Sequence, residues 1–188
     1  MKRLIAAACL AAALALPARA GEIADAAINA EALASEGKFD EALAALTEAQ
    51  AKLWDLSPMF VRKAFFVAAE PGGFGIYQAR ANSTFPKAEK LLIYAEPVGF
   101  GYNRDGELYV VNITMDFDIL NPAGKSVAAQ KNFGVLGLTS QVPNREFFAK
   151  ITYDFSGLNA GDYSVLTTLN DTVSGESVEI TLPFTLTE

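Results

Sequence analysis

The sequence contains no histidine and only one cysteine, Cys9, among its 188 residues. The absence of histidine excludes Ser-His-Asp and Cys-His catalysis and histidine-ligated zinc sites. Basic residues are also scarce, because 22 Asp and Glu outnumber 15 Lys and Arg, for a net charge of −7. Nucleic acids and anionic lipids bind clustered Lys and Arg, so neither is expected as a partner. No catalytic residue, metal site or cofactor is predicted.

Residues 1–20 have the three parts of a secretory signal peptide. Lys2 and Arg3 precede an apolar run, Leu4–Leu16, and small residues then lead to a predicted cleavage after Ala20. The apolar run of 13 residues is shorter than the roughly 20 that span a bilayer. No later segment is as apolar, so we expect no membrane span after cleavage.

Cleavage would change both the charge and the redox chemistry of the chain. It would remove three basic residues and no acidic one, which takes the net charge from −7 to −10. It would also remove Cys9, so the mature protein would have no disulfide and would depend on its core for stability. We therefore predict a periplasmic or secreted protein.

Residues 21–57 are predicted to form a helical hairpin. Residues 22–56 are rich in Ala, Leu and Glu, and their single glycine, Gly37, marks the turn between two helices. The hairpin resembles one tetratricopeptide unit, because Gly37, Phe39 and the Ala42-x-x-x-Leu46 spacing match the turn and second helix of that repeat. About three such units are needed to bury their apolar faces. We expect the hairpin to dock on the domain that follows or, alternatively, on another subunit.

Residues 58–188 are predicted to form a β domain. In Glu107–Leu120 apolar and polar residues alternate, as in a strand with one buried face, and Asp116 and Asp118 fall on the face expected to meet water. No helical pattern separates the strand-like runs, which excludes a parallel α/β sheet and leaves an antiparallel sandwich or a small barrel. Six further runs are predicted to be strands: Phe60–Ala68, Leu91–Ala95, Val127–Leu136, Arg145–Phe155, Tyr163–Asn170 and Ser177–Leu186.

This β region resembles an immunoglobulin-like or fibronectin-type-III-like bacterial module. The most specific match is Leu158–Tyr163, which is similar to the corner before the sixth strand, and Phe85–Glu89 is similar to the start of a strand in related modules. The resemblance implies that the Tyr163 hydroxyl bonds back to the backbone of the corner. The expected fold is mainly β: a seven-stranded antiparallel immunoglobulin-like β-sandwich with an N-terminal helical hairpin.

One short motif occurs twice. Ala69–Gly75 and Ala95–Gly101 both contain Glu-Pro followed by Gly-Phe-Gly, and both are predicted to be loops because proline ends a strand and glycine permits positive φ. If the loops lie side by side, they would form an aromatic cleft suited to a peptide or a glycan. The alternative is that the phenylalanines pack into the end of the sandwich. Six residues are predicted to line the cleft: Phe74, Tyr77, Phe100, Tyr102, Asn103 and Arg104.

Two hypotheses of function follow from these patterns. The first is an exported, non-catalytic protein-interaction or scaffold module of the bacterial cell envelope, which acts on a protein partner. The second is a glycan- or peptide-binding domain that uses the two Gly-Phe-Gly loops. An enzyme is disfavoured, because without histidine it would depend on carboxylates, lysine or serine for proton transfer.

Overall fold

A computed structural model describes residues 21–155 and 157–188, so the predicted signal peptide lies outside the described residues. The chain divides into two compact units, with the boundary between Leu53 and Trp54. In the part of the chain that the structure covers, we find no helix with both the length and the apolar character to cross a bilayer.

The first unit is the predicted helical hairpin. Helix α1 spans Glu22–Ser35, and helix α2 spans Phe39–Leu56 and crosses the unit boundary near its end. The turn between them depends on Gly37, whose φ of 78° is a left-handed conformation that disfavours a Cβ atom. The amide of Lys38 donates to the carbonyl of Leu33 at 2.9 Å, which closes the end of helix α1.

The hairpin buries small side chains and presents larger ones outward. Ala30, Ala42 and Ala49 are buried, while Phe39 and Leu43 are 65% and 63% exposed. An apolar groove of about 370 Å³ lies within this unit, lined by Ala27, Ala30, Glu31, Ala34, Phe39, Ala42, Leu43 and Leu46. Docking of the hairpin on a further surface stays a prediction.

The second unit contains nine strands in its described residues. All seven predicted runs form strands, and the three-residue strands β2 and β4 are additional. The fold is therefore mainly β with two N-terminal helices, as predicted, but it has more than the seven predicted strands. The strands are β1 (Phe60–Phe66), β2 (Thr84–Pro86), β3 (Leu91–Val98), β4 (Asn103–Asp105), β5 (Leu108–Leu120), β6 (Ser126–Ser140), β7 (Ala149–Tyr153), β8 (Gly161–Asp171) and β9 (Ser177–Thr187).

The strands form two sheets. The smaller has the order β1-β3-β7, and the larger has the order β2-β9-β8-β5-β6, with β4 also paired to β5. All pairs are antiparallel except β2 with β9, which is parallel, so the prediction of a wholly antiparallel fold is wrong at that edge. Because most of the domain lies between these two strands in the sequence, it provides the long connection that a parallel pair needs.

The two sheets share one hydrophobic core. Ile93 and Ile151 from the smaller sheet and Ile113 and Val165 from the larger one are each at most 1% exposed and belong to one cluster of buried side chains. Every second residue of β5 from Val111 to Ile119 lies in or against this cluster, as the alternation predicted, whereas Tyr109, which the same alternation includes, does not. Because the inner faces of both sheets pack on this core, the side chains between the buried ones point to the outer faces.

Asp116 on β5 departs from the predicted solvent exposure, because the side chain is only 11% exposed. It accepts hydrogen bonds from Lys131 Nζ at 2.8 Å, from the amide of Asn132 at 2.7 Å and from the side chain of Asn170. Asn132 has a φ of 50°, and the β5–β6 register shifts next to Asp116. The carboxylate therefore holds a bulge in β6, and the hydrogen bonds from Lys131 and Asn132 lower its pKa.

Candidate functional site

The two Gly-Phe-Gly segments lie in different structural settings. Ala69–Gly75 follows β1 as a loop, whereas Ala95–Val98 belongs to β3, so the prediction of a second loop is wrong for those residues. Pro97 pairs with Val61 of β1, while β7 pairs with β3 only as far as Ala95. A proline is tolerated here because it has a neighbouring strand on one side only.

Tyr77 belongs to an aromatic cluster on the outer face of the smaller sheet, together with Phe65 and Tyr94. The Tyr77 ring lies 4.5 Å from that of Tyr94 and 4.8 Å from that of Phe65. The Arg62 guanidinium lies 5.4 Å from the centre of the Phe74 ring. Tyr94 points away from the core because its neighbours in β3, such as Ile93, point into it.

Glu96 ties this cluster to the sheet. Its carboxylate is 2% exposed and accepts hydrogen bonds from the Tyr94 hydroxyl and from Arg62 Nε, both at 2.8 Å. The Tyr94 hydroxyl in turn accepts a hydrogen bond from the amide of Gly75. Burial raises the pKa of Glu96, but the hydrogen bonds and the positive charges of Arg62 and Lys63 outweigh it and leave the pKa lowered. This carboxylate anchors the loop.

The structure places Phe100 in the core. It is 1% exposed, and its ring contacts those of Trp54 at 5.1 Å, Phe147 at 5.3 Å and Tyr102 at 5.4 Å. The Tyr102 hydroxyl donates to the carbonyl of Asn144, and burial raises the pKa of Tyr102 to about 12, although the charge of Arg145 opposes the rise. Phe100 therefore has no surface to offer a ligand.

Asn103 and Arg104 are adjacent in β4 and face opposite sides. The Arg104 guanidinium lies 4.0 Å from the centre of the Tyr109 ring, whereas Asn103 lines an open groove on the other side. The six residues predicted to line one aromatic cleft therefore do not share one site. Tyr77 lies in the outer cluster and Phe74 lies against Arg62. Phe100, Tyr102 and Arg104 lie among the aromatic side chains at the end of the core, and Asn103 lines the groove.

The groove beside Asn103 is an open cavity of about 590 Å³ in the second unit. Its volume falls within the range of small-ligand sites. None of its lining side chains is charged or aromatic, so it presents only aliphatic, amide and hydroxyl groups. It is lined by Asn103, Val110, Val111, Asn112, Gly137, Leu138, Thr139, Thr172 and Val173.

The groove exists because a glycine lies opposite a polar side chain. Gly137 of β6 pairs with Asn112 of β5, and a Cβ atom added to Gly137 would approach only the carbonyl of Val111, at 3.9 Å. On the other side, Asn112 Nδ2 donates to Thr172 Oγ1 at 3.0 Å, and Thr172 Oγ1 donates to the carbonyl of Asn112 at 2.9 Å. The rim is therefore held in place without a ligand.

Asp171 braces the turn that carries Thr172 and Val173. This carboxylate is 2% exposed and accepts hydrogen bonds from the amides of Gly101 and Val173 at 2.6 and 2.9 Å, and from Ser174 Oγ at 2.6 Å. This role of Asp171 is not among the sequence-based predictions. The available signal was the run Asp171 to Gly175 between two strands, since Asp accepts hydrogen bonds from the backbone two residues on in many turns.

The corner at Tyr163 has the hydrogen bond that the resemblance implies. The Tyr163 hydroxyl donates to the carbonyl of Asn159 at 3.0 Å, and the Tyr163 ring stacks on Phe184 at 5.7 Å. Phe85, in the other segment of resemblance, is fully buried in β2. Both side chains fix the parallel edge of the larger sheet rather than the groove.

Within residues 21–155 and 157–188, no group of three or more Cys, Asp or Glu side chains is arranged to hold a metal ion. No protein-family model matches the sequence, and no curated protein matches it. A solved structure with some likeness is the alkylpurine DNA glycosylase AlkC from Pseudomonas fluorescens, bound to DNA containing an abasic site analogue, at 10% identity and a TM-score of 0.35. The alignment covers 76% of this chain and 34% of that one, so the chain spans about a third of its length. A likeness this distant carries no argument about fold or function.

Proposed function

We propose that this chain is an exported, non-catalytic protein-interaction module of the bacterial cell envelope that binds its partner in the uncharged groove beside β5 and β6. The observation that carries the proposal is that the groove is open and already formed. The Asn112–Thr172 hydrogen bonds and the Asp171 brace hold its rim, so a partner would not have to order it on binding.

The strand order supports an immunoglobulin-like fold for the second unit. If β1, β3, β5, β7, β8 and β9 are lettered A, B, C, E, F and G, one sheet has the order A-B-E and the other contains C, F and G side by side. Immunoglobulin-like domains have these neighbours, and their variable type adds a strand beside C, where β6 lies. The Tyr163–Asn159 hydrogen bond at the corner supports the same assignment.

The hydrogen bonds of the buried carboxylates favour binding over catalysis. Glu96, Asp116 and Asp171 are each at most 8% exposed, and each accepts at least two hydrogen bonds from its own chain. A general acid or base must reach the proton that it transfers. These carboxylates are engaged in holding a loop, a bulge and a turn, and the groove is lined by uncharged side chains.

A protein segment fits the groove better than a glycan does. Val110 and Val173 offer aliphatic surface, and Asn103, Asn112 and Thr139 offer amide and hydroxyl groups that pair with a peptide backbone or with uncharged side chains. Glycan binding, the alternative, uses flat aromatic surfaces for the sugar ring. The aromatic rings nearest in sequence, Tyr102 and Tyr109, contact each other at 5.9 Å, and neither lines the groove.

Site-specific photo-crosslinking tests the proposal. A photoreactive amino acid at Val173, which is exposed and lines the groove, leaves the Asn112–Thr172 hydrogen bonds in place and is expected to give a discrete adduct with one envelope protein in cells. The same amino acid at Thr181, which is exposed on β9 of the same sheet, should give none. Equal adduct patterns at both positions, or none at either, would contradict the proposed binding surface. Mass spectrometry of the adduct distinguishes a partner from a second copy of the chain.

A further inference from the structure

Strand β6 forms an exposed edge of the larger sheet. It spans 15 residues and pairs with β5 alone. Among the described residues, none from 126 to 140 makes a backbone hydrogen bond outside that pairing. One whole side of the strand therefore presents unpaired amide and carbonyl groups, which is a template for a further strand.

The two halves of this edge differ in their protection against such pairing. The first half contains Lys131 and the bulge at Asn132, and a charge and a bulge both discourage a further strand. The second half, Gly134–Ser140, has no charged residue and no proline, and its register with β5 is unbroken from Met115–Gly134 to Tyr109–Ser140. Its side chains include Val135, which is 61% exposed. This half of the edge is open.

We propose that Gly134–Ser140 pairs with the same segment of a second copy of the chain, antiparallel and centred on Gly137. A two-fold axis at this midpoint uses the whole unprotected segment and stops short of the bulge. It places Gly137 opposite Gly137 of the second copy, Leu136 opposite Leu138, and Val135 opposite Thr139. Every pair is uncharged, and the residue on the axis itself is glycine.

A second copy of the chain is the partner that suits this edge, because the segment is complementary to itself on both faces of the sheet. The partly buried side chains of Leu136 and Leu138 would cover each other across the axis, and the exposed Val135 would gain a cross-strand neighbour. The net charge of −10 expected after cleavage works against association at long range. Salt screens that repulsion, so added salt should strengthen the dimer. The inference goes beyond the proposed function. Gly137, Leu138 and Thr139 of this segment also line the groove, so its test measures association of the purified chain alone, with no other protein present.

Analytical ultracentrifugation of residues 21–188 tests the inference. We expect a monomer–dimer equilibrium that salt shifts towards the dimer. Gly137→Lys should weaken the dimer at least tenfold, since it puts two like charges directly opposite each other. Gly137→Glu should do the same. A mixture of the two variants should form a heterodimer, because each lysine then faces a glutamate.

Gly137→Ala is the matched control and should dimerise as the wild type does. The added Cβ atom makes only an ordinary contact, and the backbone of Gly137 is not left-handed, so these substitutions should not strain the strand. Circular dichroism of each variant checks that it is folded. A wild type that stays monomeric at every concentration and salt level would overturn the inference. So would a Lys–Glu mixture that associates no more than its components do.

Discussion

Replacing Phe100 by alanine is expected to lower the free energy of unfolding by about 3–5 kcal/mol, the range for truncating a buried phenylalanine. The Phe100 side chain is 1% exposed and packs against Trp54, Tyr102 and Phe147, so its removal leaves a cavity among three aromatic rings. Urea denaturation of the wild type and the variant measures the difference.

Phe74→Ala is the matched control, because Phe74 holds the corresponding position in the other Gly-Phe-Gly motif. Its ring is only half-buried and its contact with the Arg62 guanidinium is at 5.4 Å, so we expect a loss of about 1 kcal/mol. Two equal and small losses, together with weaker ligand retention, would instead favour an aromatic cleft formed by both loops.

Replacing Asp171 by alanine is expected to lower the free energy of unfolding by about 2–4 kcal/mol. The change leaves the amides of Gly101 and Val173 without their acceptor, and each unsatisfied donor costs about 1–3 kcal/mol when it is buried. Hydrogen exchange provides a second readout, since these two amides should lose protection in the variant while those of the central strands keep it.

Asp118→Ala provides the comparison for Asp171→Ala. Asp118 accepts a hydrogen bond from Ser126 Oγ at an exposed position, so we expect its loss to cost less than about 1 kcal/mol. Similar losses for Asp118→Ala and Asp171→Ala would mean that Asp171 does not brace the turn.

The alternation in β5 predicted the orientation of the strand, because a half-buried strand repeats every two residues and Val111, Ile113, Met115 and Ile119 all reach the core. It failed at Asp116. The hydrogen bonds that bury this carboxylate come from Lys131 and Asn132, and the bulge that brings them close has no pattern in β5 itself. Long-range contacts of this kind are absent from a local periodicity.

The candidate site was predicted less well than the fold, for a similar reason. The repeated Glu-Pro motif suggested two equivalent loops, but the strand neighbours of each motif decide its structure. Pro97 lies in a strand because no β7 residue pairs with it, a fact of sheet order rather than of local sequence. The groove depends on Gly137 lying opposite Asn112. This pairing joins two strands and cannot be read from the local sequence of either one. Of the predicted cleft residues, only Asn103 lines it.

The affinity of the cross-linked partner for three purified proteins tests the binding groove most directly. Val173→Arg puts a long charged side chain into the uncharged groove, and Thr181→Arg puts the same side chain at an exposed position on β9. We predict that the wild type and Thr181→Arg bind equally well and that Val173→Arg binds at least tenfold more weakly, a loss of about 1.4 kcal/mol or more. Equal binding by all three proteins would contradict the account.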